Sequence, residues 1–141
     1  MNVHISSDST CDLSPELLRQ YGISITPLSV CCGERTGADG TEITPQDIYD
    51  YVSEKGELPH TSAVNAADYI SEFRRWVSQG FCVVHFCISG DFSSTYQNAC
   101  LAAKEVGNVY VVDSRNLSTG QGLLVLHAAE MVEKGHSAQE I

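Results

Sequence analysis

The chain is predicted to fold as an α/β domain: a mainly parallel sheet with helices on both faces. Three observations carry that prediction. Short β-like runs alternate with helical segments along the 141 residues. One run, Phe81 to Ile88, is apolar almost throughout, as expected of a central parallel strand covered on both faces. Capping residues, prolines and glycines then punctuate the helices at their starts and stops.

Asn2 to Ser7, with Val3 and Ile5 alternating, is predicted as the first strand. Ser14-Pro15 opens a short helix that Gly22 closes. Ile23, Ile25 and Pro27-Leu28-Ser29-Val30 read as a single second strand, at an edge because Pro27 lacks an amide proton. Gly33 to Gly40 reads as a hairpin or loop. Thr44-Pro45-Gln46-Asp47 is a capped start for a helix running to Lys55-Gly56. Leu58-Pro59 forces an extended approach into Thr61-Ser62.

Asn65 caps a helix whose Tyr69, Ile70, Phe73, Trp76 and Val77 form one apolar stripe ended by Gly80. After the buried strand, a helix is expected from about Ser94 to Val106, then a strand from Val109 to Val112. A last helix runs from Gly120 to Lys134, with Gly135 just past its end. Its apolar residues, Leu123 to Val132, read as a helix covering the sheet, ahead of a lipid-lining role. Ser137-Ala138-Gln139-Glu140 has the form of a capping box, yet only Ile141 follows. The expectation is an N-terminal domain, residues 1–141, stopping at a helix entrance and followed in the parent protein by a second domain.

Composition narrows the function. A net charge of −10 argues against nucleic acid or an anionic membrane surface as partner. No apolar run approaches the ~20 residues of a membrane span, and residues 1–10 lack a secretory leader. The six cysteines form no C-x-x-C pair, so neither a zinc site nor a disulfide framework is indicated. No cofactor is expected, and reduced thiols in a cytoplasm are the simplest reading.

Four hydroxyl-rich segments recur: Ser6 to Thr10, His60 to Ser62, Ser89 to Thr95, and Asp113 to Gly120. In an open α/β sheet, loops after the strands gather at one edge, where ligands bind. Small donors beside helix N-termini suit a carboxylate or phosphate. Ser93 and Ser94 precede a helix and are either anion ligands or simple caps. Thr61 and Ser62 carry the same two readings. Asp8, Asp12 and Asp113 also fall at strand ends; hydrogen-bonding and turn roles suit them better than metal binding, since bare carboxylates repel an anion. His85, within the apolar strand, reads as a core histidine, and His60 is the histidine to test for function.

Together Asp8-Ser9-Thr10-Cys11-Asp12-Leu13, Thr61-Ser62, Ile88 to Ala99 and Val112-Asp113-Ser114 with Gly120 resemble the DegV family of bacterial fatty-acid-binding proteins. The blocks occur in order over the whole chain. The resemblance implies a two-domain protein with a long-chain fatty acid between its domains. It implies that Thr61 and Ser93 hold the carboxylate, with Ser62 and Ser94 as further donors and Asp8, Ser9 and Asp113 in support. It also implies no catalytic residues: a partner, the fatty acid kinase subunit, phosphorylates the carboxylate to an acyl phosphate for phospholipid metabolism, touching membrane lipids only peripherally. Ser94 stands where the family usually has Gly, and Gly90 where Ser is common, so the loop's approach to the carboxylate differs here.

Burying about fourteen methylenes at ~0.8 kcal/mol each makes such a ligand tail-driven. Residues 1–141 alone are therefore expected to bind fatty acid weakly or not at all, and an exposed apolar interdomain face would favour self-association. The competing reading is a small phosphotransferase or hydrolase using Asp8 or Ser93. Against it, no G-x-S-x-G elbow or phosphate-binding G-x-x-x-x-G-K-[ST] loop occurs. A third reading is an interaction module that docks partners through its acidic surface.

Overall fold

The computed structural model describes residues 2–141. A parallel sheet of four strands lies at its centre: β1 (Asn2–Asp8), β2 (Ser24–Thr26), β6 (Phe81–Cys87) and β7 (Val109–Asp113), in the spatial order β2-β1-β6-β7. α1 (Pro15–Tyr21) connects β1 to β2, and α4 (Thr95–Val106) connects β6 to β7. α5 (Ser118–Glu133) follows β7, and α3 (Ala66–Val77) precedes β6.

Side-chain alternation explains why β6 is apolar or neutral throughout and β1 is so up to Asp8. Val84 and Phe86 join Ile5 and the Val125, Ala128 and Ala129 face of α5 in one core. Val83 and Cys87 point the other way, into a second core with Tyr69 and Phe73 of α3 and Ala99 and Ala102 of α4. The predicted architecture, a parallel sheet covered on both faces, is the one observed.

Local chemistry sets the helix ends. Ser14 caps α1 by accepting the Leu17 amide, and Gly22 closes the helix in the left-handed conformation at φ 62°. Thr44 and Asp47 form a reciprocal capping box on α2 (Pro45–Lys55). Asn65 accepts the Asp68 amide at the start of α3. Ser137 donates its amide and hydroxyl to Glu140 Oε2 at 2.8 and 2.7 Å; the capping-box bonds form around a turn.

The second predicted strand differs from expectation. The segment from Ile23 to Val30 is not a single edge strand. Pro27 separates β2 from β3 (Ser29–Cys32), which leaves the main sheet and joins a second, antiparallel sheet in the order β4-β3-β5. β4 (Arg35–Ala38) returns from a hairpin at Gly33, and β5 (His60–Ser62) flanks β3 on the other side. A proline cannot donate to a ladder, so it ends one sheet and frees the chain to begin another. The last helix also starts earlier than predicted, at Ser118 rather than Gly120.

Candidate functional site

β1 ends at Asp8, a carboxylate fully buried at the carboxyl edge of the sheet. Four donors surround it. The Thr10 amide and hydroxyl approach Oδ1 at 3.1 and 2.6 Å, Gln121 Nε2 donates to Oδ1 at 2.9 Å, and the Ile88 amide donates to Oδ2 at 2.7 Å. Gln121 is itself fully buried and also donates to Ser7 Oγ at 3.0 Å. Asp8 thus ties the turn after β1 to the exit of β6 and to α5. Its lone pairs are spent on the fold, as a buried carboxylate requires.

Ser9, next along, accepts the Leu28 amide at 3.1 Å, holding the crossing from β2 into the small sheet against the end of β1. Asp113, at the end of β7, accepts the amides of Gly90 and Arg115 at 3.2 and 2.9 Å. Ser89 donates its amide to the Asn116 carbonyl at 2.9 Å, and Ser114 donates its own to the Cys87 carbonyl at 3.1 Å. The loops after β6 and β7 are therefore stitched together. Gly90 permits this closeness: a Cβ there would lie 3.2 Å from Asp113 Oδ2 and 3.1 Å from the Tyr96 ring.

Ser93 and Ser94 begin α4. The Ser93 hydroxyl accepts the Thr95 amide at 3.2 Å and lies 2.8 Å from the Thr95 hydroxyl. Both are local turn bonds, and they leave Ser93 with either its proton or one lone pair for another group, according to which hydroxyl of the Ser93–Thr95 pair donates. Ser94 is exposed and makes no capping bond, so its hydroxyl is free. The Tyr96 and Gln97 amides, in the same first turn, have no intrahelical acceptor.

Helices α4 and α5 differ from the other three. α1, α2 and α3 each carry a side-chain cap and an acid in the first turn; α4 and α5 carry neither. Both start at the carboxyl edge of the sheet, presenting uncompensated positive helix ends there.

Thr61 and Ser62 sit in β5, exposed, with Thr61 paired to Val30 and Ser62 to Ser29. The chain then runs to Val64, buried in the α3–α4 core, whose carbonyl accepts Asn98 Nδ2 at 2.8 Å. Asn98 lies one turn into α4, and its amide bonds the Ser94 carbonyl at 3.0 Å. Asn98 thus brings the Thr61-Ser62 segment to the α4 start. No hydrogen bond joins Thr61 or Ser62 directly to Ser93 or Ser94 among the described residues. A separate cleft of about 530 Å³ lies between α1, β2 and the loop at Asp39, with Cys11, Leu13, Leu18 and Ile25 in its walls. Ser9 reaches that cleft, but Thr61, Ser62, Ser93 and Ser94 do not line it.

Two links escaped the sequence reading: Gln121 and Asn98. Gln121 had a visible signal, a lone amide between Gly120 and Gly122 in an apolar helix. Gly122 lets that helix approach closely, since a Cβ there would sit 2.6 Å from the Cys11 carbonyl oxygen. Asn98 had none; a polar residue in a half-buried helix has many uses. His85 is a core histidine as expected, within 2.8 Å of the Ser6 hydroxyl, but its Nε2 has no hydrogen-bond partner. His60 is exposed in β5.

The DegV family of uncharacterised proteins matches residues 2–141. The chain belongs to the DegV family. A DegV domain-containing protein of Clostridium perfringens is 34% identical over 99% of this chain and 50% of its own length. A DegV family protein from Thermus thermophilus, described as binding fatty acid, superposes with a TM-score of 0.92 at 36% identity, covering 99% of this chain and 50% of its own. A stearic-acid-binding protein from Eubacterium ventriosum gives 0.90 at 37% identity with the same coverage. This chain spans about half the length of the DegV relatives it matches.

Proposed function

We propose that this DegV chain grips the carboxylate of a long-chain fatty acid and presents it to a partner kinase for phosphorylation to an acyl phosphate. Thr61 and Ser93 are the principal hydroxyl donors, with Ser62 and Ser94 beside them. Asp8, Ser9 and Asp113 act from behind, by shaping the loops rather than by touching ligand.

One observation carries the reading: the free Ser94 hydroxyl and the half-used Ser93 hydroxyl stand at an α4 N-terminus with no acid in its first turn. An anionic head fits that end, and a cation does not. Asn98 draws the Thr61-Ser62 segment toward the same helix start. Phe92 and Leu117, both exposed, lie in the loops beside the donors and offer apolar surface for the first methylenes of a tail. Fatty-acid binding by the similar Thermus and Eubacterium proteins supports the choice of anion.

The hydrolase or phosphotransferase reading is weaker on the same geometry. Asp8 is buried and already accepts from Thr10, Gln121 and Ile88, which leaves it unsuited to act as a nucleophile. Ser93 has Thr95 as its side-chain partner, not a base. In the carrier reading the chain supplies orientation and the partner supplies the phosphoryl group.

The test is Thr61→Ala combined with Ser93→Ala in the protein expressed from its complete reading frame. Mass spectrometry of co-purified lipid and acyl-phosphate formation with a kinase partner are then compared with the parent. Loss of both with an unchanged circular dichroism spectrum is the expected result. Retention of bound fatty acid and undiminished turnover would overturn the assignment.

A further inference from the structure

The loop between β7 and α5 carries a cation, Arg115. The chain has eight Lys and Arg residues against eighteen Asp and Glu. Arg19, Arg35, Arg74 and Arg75 are paired with Glu16, Asp47, Glu105 and Glu72. Of the remaining four, Lys55 closes α2, Lys104 lies in the last turn of α4, and Lys134 follows the end of α5. The last turns of α4 and α5 point to the opposite edge of the sheet from the hydroxyls. Arg115 alone, among the described residues, is a cation in a strand-end loop of the main sheet with no ion pair.

Its placement is costly, which makes it informative. Arg115 stands three residues before α5, where a helix presents its positive end, and α5 has no acid in its first turn to offset it. Its backbone is left-handed, at φ 50°, a conformation that side chains larger than Gly adopt rarely. The surrounding loop imposes both features. Asp113 Oδ1 accepts the Arg115 amide, the Ser114 hydroxyl donates to the Asn116 carbonyl at 3.1 Å, and the Ser89 amide donates to that same carbonyl. The amides of Gly90 and Arg115 thus converge on one oxygen, and Gly90 opens the loop that ends in Ser93 and Ser94.

We infer that Arg115 is a specificity-determining residue, selecting an anionic head group at the Thr61–Ser93 site over a neutral one. The inference rests on the fatty-acid reading above and adds a charge to hydroxyls that alone distinguish a carboxylate poorly from an alcohol. Asp12, Asp91 and Asp113 also lie in these loops, and the chain is acidic overall, so an anion approaching without a local cation meets repulsion. An exposed guanidinium in the loop stitched to the one that carries Ser93 offsets that repulsion and can donate to a carboxylate or an acyl phosphate in a forked contact.

The experiment compares oleate with oleyl alcohol, which shares the tail and lacks the charge. Affinities are measured for the protein from its complete reading frame and for its Arg115→Gln and Arg115→Lys variants, at low and high salt. Arg115→Gln is expected to weaken oleate about three- to tenfold at low salt, with less effect at high salt, and to leave oleyl alcohol unchanged. Arg115→Lys is expected to restore part of the oleate affinity. Equal weakening of both lipids would mark Arg115 as a structural residue and overturn the inference, as would tight oleate binding unaffected by Arg115→Gln. Failure of the parent protein to bind oleate at all would instead overturn the fatty-acid reading on which the inference stands.

Discussion

Asp8 and Gln121 meet across 113 positions of sequence, Gln121 Nε2 donating to Asp8 Oδ1 at 2.9 Å with both side chains fully buried. The bond fastens the turn after the first strand to the last helix and so sets the floor beneath the hydroxyl cluster. Gln121→Leu removes a donor from a buried carboxylate and is expected to cost about 1–3 kcal/mol in urea unfolding. Gln121→Glu sets a second carboxylate against Asp8 and is expected to cost more in the same measurement. A Glu variant as stable as the parent at neutral pH would contradict this account of the floor.

Gly122 makes that junction sterically possible. A Cβ there would press on the Cys11 carbonyl oxygen at 2.6 Å and on Leu13 at 3.1 Å. Backbone cannot yield as a side chain does, so Gly122→Ala is expected to destabilise by about 1–3 kcal/mol despite its better helix propensity. Gly120→Ala meets only the Asn116 side chain, which can swing away at the loss of its bond to the Leu117 amide. The thermal midpoint of Gly120→Ala should therefore fall less than that of Gly122→Ala.

Acid should unfold the protein through two histidines. Burial, helped by the nearby Arg75 charge, lowers the His4 pKa to about 4, and burial alone lowers His85 to about 3. The unfolded chain takes up these protons near pH 6.5, whereas the folded chain refuses them. Stability is thus complete above about pH 6.5 and falls as pH drops toward 4, by up to ~1.4 kcal/mol per pH unit for each histidine. Asp47, held down to about 2 by Thr44 and Arg35, adds a loss only below its usual range near 3.8. His4→Phe keeps an aromatic ring against Trp76, which His4 stacks on at 3.5 Å, and should flatten the slope between pH 6.5 and 4. An identical slope in urea titrations of that variant would remove His4 from the explanation.

Thiol reactivity should divide the six cysteines into two groups. Cys11, Cys82 and Cys87 are buried, and burial raises all three thiols, Cys87 most. Cys31, Cys32 and Cys100 are only partly buried. A disulfide reagent at pH 8 should label three thiols rapidly and the others only on unfolding. Fast labelling of Cys87 in the folded protein would mean that the α3–α4 core opens readily.

Much of the architecture was legible because it is written in local chemistry. Ser14, Thr44 and Asn65 sit where their side chains satisfy helix-start amides, and the run from Phe81 is apolar because both of its faces are covered. Pro27 was legible as an obstacle to strand pairing, yet not as the point where one sheet ends and another begins. That choice depends on whether Ser29 to Cys32 pairs better with β4 and β5 than with the main sheet, a comparison of partners distant in sequence.

The candidate donors divide in the same way. That Ser93 and Ser94 stand at a helix entrance, and Asp8 and Asp113 at strand ends, follows from residue type and spacing; that Thr61 and Ser62 lie in a strand of the small antiparallel sheet does not. The order of residues by itself determined an α/β layer structure with hydroxyls at its helix starts, since those preferences act over a few neighbouring positions. Only the folded chain decided that Asp8 is spent on internal bonds, that Asn98 draws β5 toward α4, and that Arg115 keeps an unpaired charge. Those outcomes turn on which distant groups reach one another once water is excluded, and no local pattern encodes that.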